Sequence, residues 1–179
     1  MSALTVAAPL GSAAASAPTL PAPSVTATIL DRFDKAQAVL QGFLARYSVA
    51  ALRVSLGLVF LVFGVLKFFP GVSPVEALVE RTWNALTFGM IDGYAALALT
   101  AALESIVGII FVTGRFVRFG LLVLAATFVG IFSPLVFFFG DLFTAAGPTL
   151  TAQYILKDVV LVAAAAVVAS KVLDRSRTA

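Results

Sequence analysis

Seven polar side chains sit inside or at the edges of apolar stretches: Arg53, Lys67, Glu104, Gln153, Tyr154, Lys157 and Asp158. An ionisable group at the centre of a bilayer costs about 2.5–3.5 kcal/mol on the insertion scale, so it normally faces a bundle interior and a partner. Two kinds of chemistry fit these types. A cation and an acid on facing helices make an intramembrane ion pair that can hold register or bind and move a proton. A Lys–Gln–Tyr–Lys–Asp cluster offers donors and acceptors to a small polar headgroup. Helix geometry sorts the residues into faces. At about 100° per residue from Arg53, Gly57 falls at about 40°, Phe60 at −20°, Gly64 at 20° and Lys67 at −40°. That narrow face carries a cation at each end and two glycines that admit a neighbouring helix. Glu104 shares a face with Leu97, Ala101, Gly108 and Phe111 and is its only charge. Arg53–Glu104 is the expected intramembrane pair, with a purely structural role as the competing use. Lys67, Gln153, Tyr154, Lys157 and Asp158 form the expected ligand-binding cluster. Lysines that only reach for the membrane interface are the alternative there.

These residues are carried by four apolar stretches, 48–69, 94–113, 119–139 and 152–170. About 20 helical residues cross a 30 Å hydrocarbon core. The sequence therefore reads as an all-α integral membrane four-helix bundle over 48–170, with two interfacial amphipathic helices. The first is 28–47, where Ile29, Phe33, Leu40, Phe43, Leu44 and Tyr47 recur at helical spacing and Thr28 with Asp31 resembles a capping box. The second lies between the first two stretches: Ser73 as N-cap, Pro74 at N1, Glu76 at N3 and Gly89 as C-terminal cap. Ser133-Pro134 should kink the third stretch and free a carbonyl that a neighbour must satisfy. Residues 1–27, rich in Ala, Pro, Ser and Thr, read as a disordered cytoplasmic tail. They lack the basic start and unbroken apolar core of a secretory signal. Residues 171–179 read as a basic cytoplasmic tail.

Composition narrows the function classes. The chain has 179 residues, 61% of them hydrophobic and 12% charged, about half the usual charged share of a soluble domain. It contains no cysteine and no histidine. Disulfides, Fe–S clusters, His-ligated haem, most zinc sites and any Cys or His catalysis are excluded, and no metal site or catalytic residue is expected. In redox chemistry a partner or a diffusible cofactor would have to carry the electrons. The net charge of +3 is read as cytoplasmic-face charge rather than a nucleic-acid surface. Arg32, Lys35, Arg46, Arg115, Arg118, Lys171, Arg175 and Arg177 fall in the terminal regions and the 114–118 loop. The other two loops carry Arg81 against Glu76, Glu80, Asp92 and Asp141. Both termini are thus expected in the cytoplasm.

Three segments resemble the DoxX family of small four-helix membrane proteins: Leu52-Arg53-Val54-Ser55-Leu56-Gly57 through Gly64-Val65-Leu66-Lys67-Phe68, Glu104 through Gly108 to Gly114-Arg115, and Gln153-Tyr154-Ile155-Leu156-Lys157-Asp158. The resemblance covers about residues 48–170. It implies a bacterial plasma-membrane protein, similar to the small subunit of thiosulfate:quinone oxidoreductase and linked to membrane redox complexes and oxidative-stress defence. Taken with the residues, the expected function is a small accessory or quinone-contacting subunit of such a complex. It would not be catalytic on its own, and its partners would be the lipid bilayer and other proteins or further copies. Two alternatives stay open: a small proton-coupled or small-molecule transporter acting as an oligomer, and a membrane anchor that docks a soluble partner.

Overall fold

The computed structural model describes residues 25–174. The expected tail 1–27 lies outside them except for its last three residues, and the end of the basic tail, 175–179, lies outside as well. Two compact units divide the chain, one up to Gln41 and one from Gly42. Residues 25–41 of the first are helical, the side chains described from Leu30 onward in it are exposed, and Lys35 pairs with Asp31 one turn away at 2.6 Å.

Helix α1, Val25–Leu66, takes in both the expected interfacial helix and the first span. It begins ahead of Thr28, so that residue does not open the helix, and no break separates 28–47 from the apolar stretch. Helix α2, Glu76–Leu86, follows a turn region. Its start differs from the expected capping box. Val75 takes the cap position with no side-chain bond, and the Glu76 carboxylate instead accepts from the Gly71 N–H at 2.7 Å. Its end closes at Gly89, whose N–H bonds the Asn84 carbonyl at 2.8 Å. Helix α3, Gly93–Thr113, ends on Gly114, left-handed at φ 73 as glycine permits.

The third stretch forms α4, Val117–Phe132, and a short α5, Pro134–Phe137. Pro134 has no N–H for the Gly130 carbonyl one turn back. The Ser133 hydroxyl takes its place, donating to that carbonyl at 2.9 Å. A short α6, Phe139–Leu142, leads into a two-stranded hairpin, β1 Phe143–Thr144 and β2 Gly147–Pro148. The fourth stretch is divided at Asp158 into α7, Leu150–Lys157, and α8, Val159–Leu173.

The all-α membrane bundle is the observed class. Among the described residues, three helical stretches, Leu30–Leu66, Gly93–Thr113 and Val117–Phe137, are long and apolar enough to cross a membrane. Burial is inverted relative to a water-soluble protein. Leu122, Val129, Val136 and Val160 are 71%, 65%, 79% and 70% exposed, while Lys67 and Glu104 are 6% and 4% exposed. Water would reject such a surface and lipid accepts it. The main core joins α1, α3, α4 and α8 through Leu56, Phe60, Val107, Phe111, Leu124 and Val168. A smaller cluster of Leu142, Ala152 and Ile155 closes the α2 end.

Candidate functional site

Small residues set how α1 lies on α3. A Cβ on Gly57 would stand 2.7 Å from the Val112 nitrogen, one on Gly64 2.8 Å from the Ser105 nitrogen, and one on Gly108 2.6 Å from the Leu61 nitrogen. The two backbones therefore touch along an antiparallel seam, which larger residues would open. This register decides the pairing of the charges. Gly57 lies opposite Phe111–Val112 and Gly64 opposite Glu104–Ser105. Lys67 is then within about 4 Å of Glu104 in height, and Arg53 about 17 Å below it, at 1.5 Å per residue.

The buried pair is accordingly Lys67–Glu104, with Nζ and Oε2 2.6 Å apart and both side chains 6% exposed. Lys67 also donates to the Phe63 carbonyl at 3.3 Å. The expected Arg53–Glu104 pair does not form. Arg53 lies against Gly114, where a Cβ would be 2.5 Å from its Nη1, and that nitrogen donates to the Phe111 carbonyl. It thus binds a carbonyl in the last turn of α3, where the helix dipole favours a cation. The reason is vertical register: the glycine contacts place Arg53 near Gly114, not level with Glu104.

Of the expected ligand cluster, Lys67 is inside the bundle and Asp158 is half-buried, within electrostatic reach of Lys157 and Lys67. Lys157, Tyr154 and Gln153 are exposed on α7. Lys157 Nζ stands 4.1 Å from the Tyr154 ring centroid and 6.0 Å from that of Phe63 on α1, the geometry of cation–π contacts. Gln153 turns away and donates to the Pro148 carbonyl at 3.2 Å. Sequence reasoning missed two participants. Phe63 supplies the α1 wall beside Lys157. Ser105 is next to Glu104, and its buried Oγ has no hydrogen-bond partner among the described residues.

Two of the apolar stretches are interrupted toward this end of the bundle, at Ser133 and Asp158, and α1 ends there. Arg118 on α4 donates to the Val172 carbonyl on α8 at 3.4 Å. Counting up both helices from that contact, Phe132 and Asp158 stand level, about 21 Å higher at 1.5 Å per residue. A Cβ on Gly120 would meet Ile110 at 2.5 Å, which puts the α4–α5 junction opposite the Leu97 region of α3. The end of α1 at Leu66, opposite the Ala102–Leu103 region of α3, lies about 8–9 Å from that height. Non-helical backbone at membrane depth is tolerated where protein covers it or a polar cavity needs it.

The DoxX family profile matches residues 48–140, just over half of the chain. The chain belongs to the DoxX family. That match takes in Arg53, Lys67 and Glu104, while Gln153, Tyr154, Lys157 and Asp158 lie beyond it. No curated protein and no solved structure matches the chain. This DoxX chain is therefore a membrane protein whose buried pair, Lys67–Glu104, falls within the matched segment.

Proposed function

We propose that this DoxX-family chain is a non-catalytic subunit of a bacterial membrane redox complex, and that the seam between α1 and α7 receives a quinone headgroup. The observation that carries the reading is the exposed Lys157 ammonium, held over Tyr154 and beside Phe63. The donor set fits the ligand. A quinone has two acceptor oxygens, which the Lys157 ammonium and the Tyr154 hydroxyl can satisfy. Its ring can lie against Phe63 and Tyr154, and its apolar tail can follow exposed Val62, Val159 and Val160. The bound quinone would supply the electron-accepting chemistry. This chain's residues orient its head and keep its tail in the lipid-facing seam.

Lys157→Met and Tyr154→Phe remove donors while keeping side-chain volume. The protein purified in mild detergent should retain extractable quinone, and the double variant should lose most of it while keeping its helicity. Equal retention in the two proteins would sink the proposal, as would wild-type protein that carries no quinone when purified from quinone-rich membranes. Co-purification of a stoichiometric oxidoreductase is the expected sign of the complex.

A second reading, a small proton-coupled transporter, draws on Lys67, Glu104 and Asp158 lying together near the helix interruptions. Proton flux in liposomes that Glu104→Gln abolishes would favour it, and flux no greater than in empty liposomes would remove it.

A further inference from the structure

The α2 end of the bundle holds a second polar site, and its argument does not rest on the quinone reading. An open cavity of about 430 Å³ lies between α2, the start of α3 and Phe138, with Glu80, Arg81, Asn84 and Asp92 on its walls. Small-molecule sites span roughly 300–1,000 Å³. The walls carry both signs of charge. Glu80 and Asp92 can only accept hydrogen bonds when ionised, Asn84 can accept or donate, and Arg81 can only donate. Arg81 is held in place: one guanidinium nitrogen donates to Asp141 at 2.8 Å, and its Cζ stands 4.3 Å from the Phe138 ring centroid. Its planar fork has further N–H donors that this bond does not use. A ligand that answers all of these groups carries an ammonium and an anion a few bonds apart.

The adjoining turn sets the depth. Where α2 ends, Phe88 at φ 54 precedes Gly89 at φ 83, so a bulky side chain as well as a glycine takes a left-handed position. A side chain there costs about 1–2 kcal/mol. Phe88 is 94% exposed and Met90 80% exposed, directly between Asn84 and Asp92 in the chain. Two large apolar side chains held out by a strained turn, on a protein whose apolar surface faces lipid, belong at the boundary between headgroups and acyl chains. The cavity beside them is then at headgroup height.

We propose that this cavity binds the headgroup of a phosphatidylethanolamine-type lipid. The primary ammonium donates to Glu80, Asp92 and the Asn84 side-chain oxygen, the phosphate accepts from Arg81, and the acyl chains run over Phe88 and Met90. A choline headgroup has no N–H to donate, and a glycerol headgroup has no cation.

The test uses the full chain in mild detergent, with ethanolamine, choline and glycerol phospholipids of identical acyl chains, and native mass spectrometry to count retained lipid. Wild type should retain the ethanolamine lipid about tenfold better than the other two. The Glu80→Gln/Asp92→Asn variant should lose that preference, and Arg81→Gln should weaken retention of all three lipids alike, because all three carry the phosphate. Equal retention of all three lipids by wild type overturns the proposal even if a variant fails to fold. Undiminished preference in the folded variants overturns it too. Free phosphoethanolamine that displaces the lipid at matched concentration would overturn the lipid as the source and leave a soluble ligand of the same chemistry.

Discussion

Converting Glu104 to Gln strips the negative partner from Lys67, which is 6% exposed and bonded to that carboxylate at 2.6 Å. Breaking a buried pair by removing one partner costs about 3–5 kcal/mol in soluble proteins. The insertion scale independently assigns about 2.5–3.5 kcal/mol to a lone charge at a span centre. The two routes meet near 3 kcal/mol. At about 2–4 °C per kcal/mol for a domain of this size, Glu104→Gln should lower the melting temperature by about 6–12 °C. Lys67→Met should do the same from the other side. The double variant leaves no charge behind, so it should cost less than the sum, with a coupling energy of about 1–3 kcal/mol. Thermal unfolding followed by circular dichroism in one mild detergent supplies all four corners of the cycle. Additivity within about 0.5 kcal/mol would refute the pairing. The parallel cycle with Arg53→Gln and Glu104→Gln should be additive, because the two groups differ in height by about 17 Å.

Gly108→Ala should cost about 1–3 kcal/mol, since its Cβ would stand 2.6 Å from Leu61 backbone, whereas Gly130→Ala meets nothing within 4 Å and should be neutral or slightly stabilising. Melting temperatures of the two variants check the contrast. Ser133→Ala should cost about 1 kcal/mol by orphaning the Gly130 carbonyl, and the cost should largely vanish in a Pro134→Ala background, where the backbone N–H returns. An equal penalty in both backgrounds would mean that the hydroxyl does not stand in for the missing bond. The chain has no cysteine, so single cysteines report topology directly: one at Thr87 should react with a membrane-impermeant thiol reagent in intact cells and one at Arg115 should not. The reverse pattern would invert the charge-based orientation.

What sequence could show, and what it could not, follows from the range of each signal. Periodicity and hydropathy are local, so the apolar stretches and the Gly57–Gly64 face were legible. The vertical offset of one helix on another is not local. It depends on which side chains interlock, here Gly57, Gly64 and Gly108 against their opposites, and that register sets Glu104 beside Lys67 rather than Arg53. Pro134 announced a freed carbonyl and Ser133 stood next to it, so that local repair was half visible. The Asp158 interruption was hidden, because Lys157 and Asp158 read equally well within a continuous helix. The start of α2 deceived for a related reason. The Glu76 carboxylate bonds Gly71 across the turn, and a capping pattern does not reveal a competing acceptor arrangement nearby.

Trp83 is the single tryptophan in the chain, and its indole Nε1 donates to Thr100 Oγ1 on α3 at 2.7 Å. The protein thus carries one indole fluorophore, at one seam. Its emission reports the docking of α2 on α3, while the circular dichroism signal averages over every helix. If the α2 end loosens before the α1–α3 seam yields, the two signals separate along a denaturation curve, and the gap between their midpoints measures how independently that end of the bundle opens.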